Sequence, residues 1–509
     1  MERSLASAFE RMGITIRRAH TFDEEAGHGF IDSQARGIEV FRGIDPEAQL
    51  VVAESVWQYS HHVLAGLRSH RGPILTVANW SGEWPGLVGV LNLNASLTKA
   101  GVAYSSLWSE DFTDEFFVEG LRSWVNTGRV EHNTSHVHPL DPGRIPNAER
   151  QAGTSLARHL VRNKAVLGVF DEGCMGMYNA IFDDELLNPL GIYKERLSQS
   201  SLLAEMRLVT DEEADSTRSW IEERGMSFAT GSDPATELTD DQIRDQLKMY
   251  VAAVRIADDF GCDVIGIQYQ QGLKDMAPAS DLAEGLLNNE DRPPVRHRLT
   301  GELLYEGRPV THFNEVDEGA GVDALVTRRI LAAMGFDSAT TLHDVRWGAP
   351  ATVDGEELYV WVLMISGSVP PSHNIGGYAG TTSERQPPMY FPSGGGTVKG
   401  VSKPGEIVWS RVFIEDGRLK IDLGRATVVT LPDEETERRW EATTPQWPIM
   451  HAVLHGVDRN QFMARHKANH VSVAYAPDAE SADRLLAFKA AAFHELGVDV
   501  CLSGSTALG

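Results

Sequence analysis

Near residue 334 the hydrophobic pattern of this sequence changes period. Upstream, short apolar runs alternate with stretches of helical spacing; downstream, alternating apolar and polar residues dominate. "GPILTVANWSG" reads as a strand ending near Asn79, and "EWPGLVGVLNLNASLTKAG" as a helix with Pro85 in its first turn, followed by the strand "VAYSSLW". The same order returns in "KAVLGVFDEG", a strand running into a glycine-containing loop. In "TDDQIRDQLKMYVAAVRIADDFG", Thr239 caps a helix whose Ile243, Leu247, Val251 and Val254 share a face and which Gly261 ends. "CDVIGIQYQQ" is a buried strand with polar residues at its C-terminal end. Strand–helix–strand repetition of this kind makes parallel sheets with helices on their faces.

The last third reads differently. "EELYVWVLMISGSV", "GEIVWSRVFIEDGRLKIDLGRATVVTLP" and "HVSVAYA" are strands, Asp416-Gly417 is a hairpin turn, and "NIGGYAGTTSERQPPMYFPSGGGTVKG" reads as long loops. One helix, about 479 to 496, closes the chain. The expected fold is α/β: two Rossmann-like, parallel-sheet domains over 1–161 and 162–334, then a mainly β, barrel-like domain over 335–509.

Composition narrows the function. Against 46 basic residues stand 72 acidic ones, a net charge of −26, which repels nucleic acid and anionic lipid and draws cations toward any cleft. Three separated cysteines, Cys174, Cys262 and Cys501, supply neither a disulfide framework nor a thiolate zinc site. No apolar run reaches the ~18 residues of a membrane span, and the charged N-terminus is unlike a secretion signal. A cytoplasmic protein without nucleic-acid or membrane partners is expected.

Ligands of open α/β sheets sit beyond the carboxyl ends of strands. Gln270 and Gln271 end one strand, Glu315, Asp317 and Glu318 lie between "RPVTHFN" and a helix, and Asp344 ends "TTLHDV". Each alone has a plainer use: an acidic residue before a helix is ordinarily a cap, and His470 alone is ordinarily structural. Together, two carboxylates and an imidazole make a hard O/N donor set suited to Mn²⁺, Mg²⁺ or Co²⁺. His61 and His62, and His132, His136 and His138, lack a strand-end setting and are expected at the surface. "PSGGGTVKG" lacks the ending of a phosphate loop.

Three segments resemble the L-fucose isomerase and L-arabinose isomerase family: "DEGAGVDALVTRRILAAMG", "LHDVRWG" and "HKANHVSVAYA". The resemblance implies Glu318, Asp344 and His470 as ligands of Mn²⁺ (Mg²⁺ or Co²⁺ in its place), with Glu318 and Asp344 also moving the proton. From "NWSGEWPG", "GIQYQQGLKD" and "ANH" it implies Trp80, Gln270 and Asn469 as substrate contacts. The activity implied is a metal-dependent aldose–ketose isomerase working through a cis-enediolate. The family's assembly implies a homo-hexamer or trimer, with Trp80 reaching the site of an adjacent subunit. Two alternatives stay open: a sugar-acid epimerase or dehydratase, for which Arg346 is the candidate cation, and a non-catalytic carbohydrate-binding protein on the same scaffold.

Overall fold

The structure, a computed structural model, describes residues 1–54, 57–83 and 86–508; the side chain of Cys174, and Trp84 and Pro85 of the expected helix start, lie outside the described residues. The strands are, in chain order, β1 (Leu50–Glu54), β2 (Ile74–Asn79), β3 (Ser105–Ser109), β4 (Val137–Pro139), β5 (Ala165–Phe170) and β6 (Ile192–Leu197). They continue with β7 (Ser227–Phe228), β8 (Val264–Ile267), β9 (Val295–Arg296), β10 (Leu303–Leu304), β11 (Thr341–Val353) and β12 (Glu356–Met364). The last are β13 (Thr382–Ser383), β14 (Gly405–Glu415), β15 (Arg418–Val428), β16 (Ile449–Leu454), β17 (His470–Ala476) and β18 (Asp499–Ser503).

Among the described residues the fold is α/β, with two three-stranded parallel sheets, one eight-stranded mixed sheet and two two-stranded pairs, β7 with β13 and β9 with β10. β1-β2-β3 form the first parallel sheet and β6-β5-β8 the second, which a parallel bridge from Ile265 to His312 extends. β5, "AVLGVF", is almost wholly buried, as a parallel strand covered on both faces must be. The helix Asp240–Asp259 beside it starts at a capping box between Thr239 and Gln242. No described helix is long and apolar enough to cross a membrane.

In the mixed sheet the antiparallel pairings run β14-β17-β11-β12-β16-β15 and return from β15 to β14, so six strands close on themselves. β18 adds parallel to β15, and β4 adds antiparallel to β18. Asp416 and Gly417 both have positive φ, 54° and 69°, as the tight β14–β15 turn requires; Asp354 and Gly355 repeat the device between β11 and β12. Alternation along the strands divides the core. Val345, Trp361, Leu363, Ile407, Trp409, Val471 and Val473 pack with Trp80, Leu87, Val90 and Trp108. Leu342, Val362, Met364, Val408, Val412 and Ala474 join the core that contains β5, β8 and the helix Ala479–Glu495.

Two stretches sit differently from the sequence reading. The helix Asn147–Asn163 runs through residue 161, and its Gly153 meets Ala491 of the C-terminal helix so closely that a Cβ there would clash at 2.5 Å. With β4, it packs against the end of the chain. The glycine-rich stretch after residue 374 lies over the second parallel sheet's unit: β13 pairs with β7, and Gln246 of the buried helix donates to the carbonyls of Ala279 and Gly396.

Candidate functional site

At the carboxyl ends of the second parallel sheet lie three connections: after β5, after β8, and after the bridge at His312. The third, Asn314–Asp317, is the most constrained. Glu315 and Val316 both have positive φ, 57° and 54°, a conformation that a β-branched residue such as Val rarely adopts. Each such residue costs about 1–3 kcal/mol and persists only where its surroundings over-determine it. Here Asn314 Nδ2 donates to Glu284 (2.6 Å) and to Ser368 (3.1 Å), Ser366 Oγ donates to Glu315 Oε1 (2.9 Å), and Asp317 caps the following helix through the Ala320 N–H (3.2 Å).

This turn brings Glu315 to His470. His470 Nε2 lies 3.5 Å from Glu315 Oε2 and 3.5 Å from Asp344 Oδ1. Asp344 and His470 are directly opposed residues of β11 and β17. Each of the three side chains has its own partner: Ser366 on Glu315, Asn469 Nδ2 on Asp344 Oδ1 (3.1 Å), and Asp317 Oδ2 accepting from His470 Nδ1 (2.7 Å). His470 Nε2 is buried and has no hydrogen-bond partner.

The electrostatics follow from the carboxylates. Burial works to lower the His470 pKa, but Asp317, Glu315 and Asp344 around it outweigh that and raise it to about 10. Burial pushes Asp344 up to about 6, with His470 opposing. Asp317 is buried too, yet the Arg411 guanidinium and His470 hold it well below the usual carboxylate range. Without another cation, this set takes up a proton on imidazole. A divalent cation placed between Nε2 and the two carboxylates would replace that proton, and the oxygen–nitrogen donor set suits a hard metal. In donor type, though not in closeness of all three ligand atoms, the set matches a hard cation.

Glu318 lies elsewhere. It is the first residue of the helix Glu318–Met334, and it accepts from the Phe182 N–H (2.6 Å) and from Lys194 (3.1 Å). The structure thus brings Asp344 and His470 together with Glu315 in the position the sequence reading gave to Glu318. Asn469 stands beside them on Asp344, its Oδ1 buried and without a partner.

Gln270 is half-buried, and its backbone N–H donates to Gln268 Oε1 (3.0 Å). The fully buried amide at this strand end is Gln268, whose Nε2 has no partner. Trp80 is buried within its own chain: its indole N–H donates to the Gly348 carbonyl (3.0 Å), and it packs edge-on to Trp361. That placement does not present it to an adjacent subunit. Of the histidines expected at the surface, His61 is half-buried on the Gly176 carbonyl (2.8 Å), and His136 is buried.

Arg411, Ser366 and Asp317's hold on His470 escaped the sequence reading. Ser366 belongs to no motif. Arg411 did leave a signal, because an arginine inside the apolar run "IVWSRVFI" requires a buried anion. Among the described residues, the group whose three ligand atoms all lie within 4.8 Å of one another is Asp258, Asp259 and His297, and not Glu315, Asp344 and His470. The two aspartates are exposed, and nothing else there points to a ligand. No protein-family model matches this chain, and no curated protein matches it.

Proposed function

We propose that this chain is a cytoplasmic, metal-dependent aldose–ketose isomerase of the L-fucose and L-arabinose isomerase kind, with Glu315, Asp344 and His470 holding Mn²⁺. One observation carries the reading: a buried imidazole nitrogen without a hydrogen-bond partner, set 3.5 Å from each of two carboxylates. His136, His343 and His451 also have unpartnered ring nitrogens, so it is the two carboxylates facing Nε2 that set His470 apart.

Interconverting an aldose and a ketose breaks the C2–H bond and forms a C1–H bond, while a proton passes between O1 and O2. The metal, when bound, supplies Lewis-acid polarisation of those two oxygens. Asp344 is the group suited to move the carbon-bound proton. Asn469 fixes one of its oxygens, leaving the other for the substrate. Ser366 holds Glu315 Oε1 and so turns Oε2 toward His470. The free Oδ1 of Asn469, beside Asp344, is an acceptor for a sugar hydroxyl, and Gln270 belongs to this reading through the family alone. A closed trimer or hexamer belongs to this reading through the family alone, since Trp80 is committed to its own chain.

A second reading rests on Arg346. It is fully buried two residues beyond Asp344, donates to the Gly82 carbonyl (3.0 Å) and lies over Trp447; a sugar acid requires such a cation in an epimerase or dehydratase. The test separates the two. Protein stripped with EDTA is given Mn²⁺ and a panel of aldoses and aldonic acids, and ketose and keto-acid formation are measured. Ketose formed only with metal supports the isomerase. Turnover of the acids alone moves the assignment to the second reading, and full turnover of an aldose in metal-free protein sinks both.

A further inference from the structure

Asp317 has no part in the chemistry above, yet it is the most heavily engaged side chain of the site. Its Oδ2 accepts from His470 Nδ1 at 2.7 Å and from Arg411 Nη1 at 2.5 Å, and its Oδ1 accepts from the Ala320 N–H at 3.2 Å. Asp317, Arg411 and His470 are each at most 1% exposed. The two acidic residues of the turn grip opposite edges of one ring: Glu315 faces Nε2 and Asp317 holds Nδ1. In a regular helix or strand, residues two apart do not converge on one side chain in this way. The positive φ at Glu315 and Val316 turns the backbone so that they do.

We infer that Asp317 and Arg411 are positioning residues for the metal site, fixing which nitrogen of His470 carries the proton and where the other one points. This deepens the proposed function and rests on it. A carboxylate offers only lone pairs, so Asp317 demands a proton on Nδ1, and Nε2, facing Glu315 and Asp344, is the nitrogen whose proton a bound cation would displace. The Arg411 guanidinium, bonded to Asp317 Oδ2, favours the charged form of the buried Asp317. With Oδ2 bonded twice and Oδ1 capping the helix, Asp317 has no oxygen committed toward the metal, although it is two residues from Glu315. The strained turn thus separates two adjacent acids into a ligand and an orienting group.

The helix cap makes the test clean. Asn caps a helix about as well as Asp does, so Asp317→Asn keeps the shape and the cap. Its amide, however, can turn an N–H toward Nδ1 and leave the proton on Nε2. The measurement is the Mn²⁺ dissociation constant of EDTA-stripped full-length chains by calorimetry, together with the visible spectrum after Co²⁺ loading. Asp317→Asn is expected to weaken Mn²⁺ binding about 10–100-fold and to alter the Co²⁺ spectrum, at a melting temperature close to wild type. Arg411→Gln tests the same chain of contacts from its far end, with a several-fold loss expected, should Asp317→Asn fail to fold. Asp323→Asn is the control. It removes the charge of another buried acid of the same helix, which pairs with Lys489 and Ser410. It should lower stability and leave Mn²⁺ affinity unchanged. Wild-type affinity in both Asp317→Asn and Arg411→Gln overturns the inference while the proposed function stands. A wild-type chain that binds neither ion overturns the proposed function, and this inference with it.

Discussion

Glu318 is three residues from Glu315 and more deeply buried, its side chain 1% exposed against 14%, yet the two live in opposite surroundings. Around Glu318 every charge is answered. Lys194 donates to both of its oxygens, to Glu172 and to the Phe182 carbonyl, while the Phe182 N–H returns to Glu318. Around Glu315 the account does not close. Asp344 and Asp317 add negative charge, Arg411 answers one carboxylate, and His470 Nε2 makes no hydrogen bond, lying 3.5 Å from both Glu315 and Asp344. Both clusters set buried carboxylates against a cation. Closure distinguishes them: a satisfied ion pair pins a loop to a helix, and an unsatisfied one has capacity left for a ligand.

Exchanging each glutamate for its amide is the strongest way to break this comparison. Glu315→Gln should lower kcat/KM for ketose formation by at least ~10²-fold. Glu318→Gln should leave it within a few-fold of wild type. In urea unfolding, Glu318→Gln should instead cost about 3 kcal/mol, because Lys194 stays buried with only the half-exposed Glu172 and Asp184 as its anions. The reverse pattern, an inert Glu318→Gln protein and an active Glu315→Gln one, returns the metal to Glu318.

The closed cluster is also replaceable, and the open one is not. Lys194→Met with Glu318→Leu removes both charges at once. It should recover most of the stability lost in Glu318→Gln, to within about 1–2 kcal/mol of wild type. A double variant less stable than the single one would show that the pair does more than fill space.

Protons sharpen the difference further. The imidazole of His470 is raised to about 10 in the absence of metal, so at neutral pH it must shed its proton to ligate. Binding Mn²⁺ near pH 7 should therefore release about one proton, and affinity should rise about tenfold per pH unit. Below about 6, where Asp344 is also protonated, the dependence should steepen. Calorimetry in buffers of different ionisation enthalpy measures the released proton directly, and a pH-independent affinity would count against His470 as a ligand. The smallest effect belongs to Ser366→Ala. Losing one hydrogen bond to Glu315 should weaken Mn²⁺ binding by at most about tenfold and cost about 1 kcal/mol of stability.

What the sequence revealed depended on how local the determinant was. The helix capped by Thr239 and the hairpin at Asp416-Gly417 are set by a few adjacent residues, and both stand in the structure where the pattern puts them. Asp344 and His470 meet because two strands pair, and their strand-like surroundings were readable. Glu315 was weighed and passed over because spacing to the next helix says nothing of backbone handedness. A valine at positive φ runs against its own preference and is held there by Asn314, Ser366 and Asp317 contacts that span the chain. Trp80 shows the same limit. A tryptophan at a strand end reads as a ligand contact, and only the tertiary fold shows its N–H taken by Gly348.

The most direct test of this account is to count bound Mn²⁺ by electron paramagnetic resonance in stripped and reloaded wild-type, Glu315→Gln and Glu318→Gln chains. One tightly bound ion per chain in wild type and Glu318→Gln, and none in Glu315→Gln, is the expected result. An ion retained by Glu315→Gln and lost from Glu318→Gln would contradict it.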